Sequence, residues 1–132
     1  MDDPGDAGPG AGIEVVRVYE DPGRRAGEHR VLVDRLWPRG LAKDVVDHDD
    51  WAKDLAPSTE LRRWYGHDPD RFAGFAHRYR AELDAPAARE GLARLRRIAD
   101  EHRLVLLTAT RDVAHSGAAV LLAILEENRP PP

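Results

Sequence analysis

The chain has 132 residues, 42% of them hydrophobic and 33% charged, and its formal net charge at pH 7 is −4. This length suits one domain with a hydrophobic core of ordinary size. The absence of cysteine excludes disulfides, thiolate nucleophiles and cysteine-ligated metals. No apolar run reaches the length of a membrane span, so we expect a cytoplasmic protein that does not associate with membranes.

The first segment, residues 1–12, is acidic and rich in glycine and proline, which predicts a disordered tail and not a secretory signal. Asp2, Asp3 and Asp6 are three of the 24 acidic residues, so 21 acidic and 20 basic residues remain and the rest of the chain has a formal charge of −1. Because sequence-independent nucleic-acid binding needs a positive surface, this balance disfavours it.

The remaining chain predicts a single α/β domain over residues 13–128, followed by a proline-rich end at 129–132. A first strand is expected at 13–19, where β-branched residues are frequent. A second is expected at 30–37, ended by the proline that follows it. The loop between them has about ten residues, which is short for a parallel crossover. These two strands are therefore expected to form an antiparallel pair or not to be neighbours.

Apolar residues at spacings of three and four predict helices along the rest of the chain. The expected helices cover 47–55, begin after the N-caps Ser58 and Asp68, open at Pro86, and end with a terminal helix over 113–128. A third strand is expected at 104–112. The long helical connection permits a right-handed crossover, so the second and third strands should be adjacent and parallel. The fold class is a small, largely parallel sheet of three or more strands flanked by helices.

Charged residues follow the apolar part of the second strand. Asp34, Arg35 and Arg39 surround Trp37, and charges are rarely unpaired in a buried strand. Ligands of open α/β sheets bind outside the carboxyl ends of the strands, which favours a polar pocket here. Alternation puts Asp34 on the face opposite Arg35, and the structural alternative is a buried Asp–Arg ion pair that fixes the strand to a helix.

The third strand repeats this pattern with Thr110, Arg111 and Asp112. A helix N-terminus beside an arginine is a natural anion site, although Asp112 also suits the N-cap of the terminal helix. Lys53, one of two lysines, is placed to face either this pocket or solvent. The six histidines lack the spacing of a metal site, so neither metal nor cofactor is predicted.

Four motifs together resemble the YeaO-like family of bacterial proteins, and the resemblance runs from about Val16 to Leu125. They are Val31-Leu-Val-Asp-Arg-Leu-Trp-Pro-Arg-Gly-Leu41, Trp51-x-Lys-x-Leu-Ala-Pro-Ser58, Leu61-Arg62 with Trp64 and His67, and Tyr79-Arg-x-Glu-Leu83. The resemblance implies an α/β fold and a bacterial cytoplasmic setting, with no established activity. The family tends to have Ala-Lys-Asp and then His-Asn where this chain has Thr110-Arg111-Asp112 and His115-Ser116. Arginine keeps the cation there but removes any lysine nucleophile.

The preferred hypothesis is a protein that binds an anionic small molecule at the strand ends, with catalysis left open. The predicted ligand-binding residues are Arg35, Trp37, Arg39, Lys53 and Arg111. The candidate residues for proton transfer are Asp34, Asp112, His67 and His115.

Two alternatives compete with this hypothesis. In a nucleic-acid-linked or transcription-related regulatory protein, Arg39, Lys53, Arg62 and Arg63 would contact phosphates, and Trp37 or Trp64 would stack on a base. In an interaction module, the charge cluster would be purely structural. The sequence does not predict an oligomeric state.

Overall fold

A computed structural model describes residues 12–127, so the expected tail, apart from Gly12, and the proline-rich end lie outside the described residues. The chain forms a four-stranded parallel sheet in the order β1-β4-β2-β3. The strands are β1 (Ile13–Arg17), β2 (Glu28–Leu32), β3 (Asp50–Trp51) and β4 (Arg103–Thr108). The predicted α/β class is confirmed.

The central strand β4 pairs with both β1 and β2. Its register runs from Glu28 opposite Arg103 to Leu32 opposite Leu107, so the predicted parallel pairing of the second and third strands is confirmed. On its other side β4 pairs with β1, also in parallel. The first two strands are therefore not neighbours, as one alternative held, and the antiparallel alternative is wrong. The strand that separates them, β4, comes late in the chain. Local sequence predicts this strand but gives no sign that it is inserted between the first two.

The strands are shorter than predicted. β2 ends at Leu32 and not at residue 37, and β4 ends at Thr108 and not at residue 112. One more ladder bond follows β2, from the Val33 amide to the Leu107 carbonyl, at 3.0 Å. Beyond it the Asp34 side chain, and no longer the backbone, bonds to the end of β4. The charged residues after β2 therefore lie on a loop.

The helix predicted over 47–55 is wrong. This segment contains the two-residue strand β3 and a 3₁₀ turn over Lys53–Leu55. Trp51 and Leu55 have helical spacing but pack in different hydrophobic clusters. Hydrogen bonds from the Asp49 amide to the Arg30 carbonyl and from the Ala52 amide to the Leu32 carbonyl fix the segment beside β2. A strand this short has no periodicity to detect.

The four helices are α1 (Thr59–Tyr65), α2 (Phe72–Glu82), α3 (Pro86–Glu101) and α4 (Gly117–Glu126). Ser58 caps α1 as predicted, its hydroxyl accepting from the Leu61 amide at 3.1 Å. Asp68 caps the short 3₁₀ turn that precedes α2. The terminal helix starts later than residue 113, because Val113–His115 forms a 3₁₀ turn before α4.

The helices all contribute to the larger hydrophobic cluster, on one face of the sheet, with Leu95, Tyr79 and Leu121 among its fully buried members. The other face carries a smaller cluster built on Leu32 and Val105, against which loop residues such as Trp37 pack. The domain is thus a helical layer and a loop layer on either side of one sheet. No helix within residues 12–127 is both long and apolar enough to cross a membrane.

Candidate functional site

A cavity of about 780 Å³ lies at the carboxyl ends of the strands, and we call it the carboxyl-edge cavity. Six separate segments contribute to its wall: the turn after β1, the loop after β2, helix α1 with the residues on either side of it, helix α2, the residues after β4, and the start of α4. Parallel strands bring their carboxyl ends to one edge, which is why segments far apart in sequence meet here. Its lining includes Asp34, Arg35, Trp37, Arg39, Arg62, Arg63, His67, Thr110 and His115.

Asp34 is held firmly at the base of the loop after β2. One carboxylate oxygen accepts from the Thr108 hydroxyl and the other from the Ala109 amide, both at 2.7 Å. Burial raises the pKa of Asp34, although these two hydrogen bonds and the charge of Arg62 act in the opposite direction. Both oxygens are thus committed to the end of β4.

Arg35 supports the neighbouring wall. Its guanidinium donates to the Pro57 carbonyl at 2.9 Å and to the Ala56 carbonyl at 3.2 Å. The structural alternative of a buried Asp–Arg ion pair is wrong for both residues, because Asp34 bonds to the end of β4 while Arg35 bonds to carbonyls of the loop before α1. Arg35 still lines the cavity, so it fixes the wall and adds a positive charge to it.

Three further arginines line the cavity with exposed side chains: Arg39, Arg62 and Arg63. Within residues 12–127, none of them forms an ion pair with a carboxylate. The Tyr19 hydroxyl donates to the Arg39 carbonyl at 2.6 Å and so fixes the backbone that carries this arginine. Among the described residues, the cavity lining has four arginines and a single carboxylate, that of Asp34. The site is strongly cationic.

A histidine–aspartate pair stands beside this arginine group. His115 Nδ1 lies 2.8 Å from an Asp112 carboxylate oxygen, and the ring meets Phe72 edge-on at 5.0 Å between centroids. Asp112 is not part of the lining and orients His115 from outside. Its predicted capping role is wrong for α4, whose first turn is capped by Ser116 through a 3.1 Å bond from the Ala119 amide.

His67 also lines the cavity, and its backbone has φ of 56° directly after Gly66, which has the same φ. Left-handed backbone is uncommon for residues other than glycine and is enriched at functional sites. The turn after α1 therefore holds His67 at the cavity wall at some conformational cost.

Two predicted ligand-binding residues lie outside the lining. The Lys53 ammonium sits over the Trp51 ring, 4.8 Å from its centre, and Arg111 is exposed but does not line the cavity. Trp37 does line it, although its indole N–H donates to the Leu41 carbonyl at 2.6 Å. Sequence reasoning placed Arg62 and Arg63 only in the nucleic-acid alternative, yet they line this cavity. The Leu61-Arg62 motif was the available signal.

A metal ion does not suit this site, because its side chains are mostly cationic. Within the described range, no group of three histidine, aspartate or glutamate residues has the arrangement of a metal site.

Comparisons with known proteins agree with the resemblance found in the motifs. The model of the inactive DUF488-N3 subclade matches residues 12–130. The chain belongs to this family. Uncharacterised proteins of Mycobacterium bovis and Mycobacterium tuberculosis are 50% identical to it over 113 residues, which is 86% of this chain and 92% of theirs. The uncharacterised protein YeaO of Escherichia coli is 41% identical over 109 residues, 83% of this chain and 92% of YeaO. No solved structure matches the chain significantly.

Proposed function

We propose that this protein binds an anionic small molecule, bearing a phosphate or a carboxylate, in the carboxyl-edge cavity. One observation carries the proposal: four arginines and a single carboxylate line one concave site, and three of the arginines have no ion-pair partner within residues 12–127. Uncompensated like charges repel each other, and a bound anion relieves that repulsion. Guanidinium groups also match the planar oxygen pairs of carboxylates and phosphates.

The start of α4 adds to this attraction. Ser116 and Gly117 line the cavity, so the positive end of the helix faces it. Packing is close at this point: a Cβ atom on Gly117 would lie 3.2 Å from the Pro57 ring. Glycine therefore lets the first turn of α4 approach the loop that Arg35 holds.

Binding without turnover fits the residues better than catalysis does. Both oxygens of Asp34 are already bonded, and the Ser116 hydroxyl donates to the Val113 carbonyl while it caps α4. The chain has no cysteine that could act as a nucleophile. The subclade to which it belongs is described as inactive. In this proposal the His115–Asp112 pair positions a hydrogen-bond donor for the anion.

The nucleic-acid alternative is weaker, because its stacking platforms are occupied. The guanidinium of Arg78 lies 4.0 Å and that of Arg71 5.5 Å from the centre of the Trp64 ring. Trp37 is half-buried and makes edge contacts with His48 and Trp51. Single-strand binding proteins need open aromatic faces beside their basic residues.

The experiment is a thermal-shift titration with inorganic phosphate and with benzoate, on the wild type and on Arg62→Ala. We expect at least one of the two anions to stabilise the wild type, by about 2.7 kcal/mol at 100 times its dissociation constant. Arg62→Ala should need a several-fold higher concentration for the same shift. Arg89→Ala is the matched control, since Arg89 is an exposed arginine of α3 outside the cavity. No stabilisation by either anion, or equal effects of both variants, would refute the proposal.

A further inference from the structure

The carboxyl-edge cavity has an apolar mouth as well as a cationic wall, and the two together narrow the ligand class. Resting on the anion site proposed above, we infer that the ligand is a phosphate monoester whose organic part is an aromatic ring. Arg39, Arg62 and Arg63 hold the phosphate, and Tyr19 and Leu36 cover the ring.

The number of charges favours phosphate over carboxylate. Arg35 is committed to two backbone carbonyls, which leaves the three guanidinium groups of Arg39, Arg62 and Arg63 for the ligand. A carboxylate offers two oxygens and one negative charge. A phosphate monoester offers three terminal oxygens and a charge near −2 at neutral pH, because its second pKa is about 6. Three arginines that line one cavity match the charge and oxygen number of the second group better.

The size of the site favours an organic ester over the inorganic ion. The cavity volume of about 780 Å³ lies within the range of pockets that enclose a drug-sized molecule. Inorganic phosphate bound to the arginines would leave most of this volume to water. The buried part of the lining is apolar and aromatic, with Val33, Pro57, Tyr65 and Phe75.

The exposed apolar side chains show where the organic part lies. Among residues 12–127, three large hydrophobic side chains are exposed, namely Tyr19, Leu36 and Val45, and two of these three line the cavity. Leu36 is 60% exposed and Tyr19 42% exposed. Apolar surface at the mouth of a binding site gains free energy when a ligand covers it. The Tyr19 ring is also anchored, through its hydroxyl bond to Arg39 and the Arg17 guanidinium 4.8 Å from its centre.

Isothermal titration calorimetry with four probes tests this inference: phenyl phosphate, glycerol phosphate, inorganic phosphate and benzoate. At about pH 8 the two phosphate esters are essentially dianionic, because the second pKa of such an ester is about 6, and inorganic phosphate, whose second pKa is higher, is mostly dianionic. We expect phenyl phosphate to bind about tenfold or more tightly than glycerol phosphate, which follows from burying part of one ring and one leucine. We expect benzoate to bind weakest.

The outcomes separate the two proposals. If the four probes bind with dissociation constants within twofold of one another, the anion site stands and the aryl phosphate inference is wrong. The same holds if benzoate binds as tightly as phenyl phosphate. If none of the four binds, both proposals are wrong.

A variant pair supplies a second readout. Leu36→Ser should lower the preference for phenyl phosphate over glycerol phosphate by about threefold or more, since it removes apolar cover from the ring. Val45→Ser is the matched control, because Val45 is 64% exposed and does not line the cavity. The preference should not change in that variant. An unchanged preference in Leu36→Ser, or an equal change in both variants, would overturn the inference.

Discussion

Arg35 and Arg39 lie in the same loop, four residues apart, yet their surroundings differ. Arg35 donates two hydrogen bonds to the carbonyls of the buried residues Ala56 and Pro57. Arg39 is exposed, and the Tyr19 bond to it involves its backbone carbonyl and not its side chain. The same type of residue therefore serves two purposes in this loop. Arg35 supports the cavity wall, and Arg39 is available to a ligand.

Urea denaturation of two alanine variants tests this division. Arg35→Ala should lower the free energy of unfolding by about 1–3 kcal/mol, because two buried carbonyls lose a charged donor. Removing the arginine partner of a buried carboxylate would cost more, but Arg35 bonds to two carbonyls and to no carboxylate. Arg39→Ala should stay within about 0.5 kcal/mol of the wild type, as surface substitutions usually do. Equal losses in the two variants would contradict this assignment.

Asp34 gives a prediction that depends on pH. Asp34→Ala leaves the Thr108 hydroxyl and the Ala109 amide without their acceptor, and each such loss costs about 1–3 kcal/mol. Burial raises the pKa of Asp34, so the folded protein holds the proton more tightly than the unfolded chain. The stability advantage of the wild type over the variant is then largest below the ordinary aspartate pKa of about 3.9. It shrinks as pH rises through the raised folded pKa.

Urea melts of the wild type and of Asp34→Ala, from below about pH 3.9 to neutral pH, measure the difference in their free energies of unfolding directly. A stability difference that grows as pH rises would mean that the carboxylate is more favourable when folded than when unfolded. That result would contradict the assignment of burial as the dominant influence on Asp34.

At the residue scale, sequence predicted the charges at the strand ends but not their partners. Asp34, Arg35 and Arg39 were identified because charges follow an apolar strand. Arg35 bonds to carbonyls 21 and 22 residues away, and no local pattern records such a contact. On an isolated helix Arg62 and Arg63 look like ordinary solvent-exposed residues, so the sequence predicts a role for them in the nucleic-acid alternative alone.

At the scale of elements, the amino end of β2 is held by a buried ion-pair network. The Arg30 guanidinium donates to the Glu28 carboxylate at 2.7 Å and also pairs with Asp21. Arg25 donates to the second oxygen of Glu28, also at 2.7 Å. Burial alone would raise the pKa of Glu28, but the hydrogen bonds from Arg30 and Arg25 outweigh it, so this pKa is lowered.

Acid denaturation should therefore depend on Glu28. A carboxylate with a lowered folded pKa contributes its stability above its unfolded pKa of about 4.3, and the contribution is lost as pH falls through the folded value. Glu28→Gln should cost about 3–5 kcal/mol at neutral pH, because Arg30 keeps a buried charge that is then less well compensated. The variant should also lose less stability on acidification than the wild type does.

Glu90→Gln is the control for this prediction, since Glu90 is exposed on α3. Its free energy of unfolding should follow that of the wild type at every pH. If Glu28→Gln and Glu90→Gln show the same pH dependence, the network at the start of β2 does not govern acid stability.

The elements that sequence predicted well are those with long apolar patterns. The second and third strands and helices α2, α3 and α4 follow from runs or helical spacing in single segments. β3 could not be predicted, because two residues join the edge of the sheet through backbone bonds to β2. Sequence places the ends of β2 and β4 too late in the chain. The strand-like pattern continues into residues that are held by the Asp34 side chain and not by backbone pairing.

At the scale of the molecule, the order of the strands determines where the site lies. β4, late in the chain, is inserted between β1 and β2 and brings residues 109 and 110 beside the loop after β2. Sequence predicted one pair of adjacent strands, and with it the polar edge. It could not predict a cavity built from six segments, because that depends on how the helices pack around this edge.

The central claim is that an anion binds at the carboxyl edge of the sheet, and amide chemical shifts test it most directly. Titration of the ¹⁵N-labelled protein with inorganic phosphate should produce saturable changes in amide chemical shift. These should be largest at Ala109, Thr110 and Gly117, which line the cavity. Amides at the opposite edge, such as those of Glu28 and Arg103, should remain unchanged. Saturable changes centred on Glu28 and Arg103, or no saturable change at all, would contradict the claim.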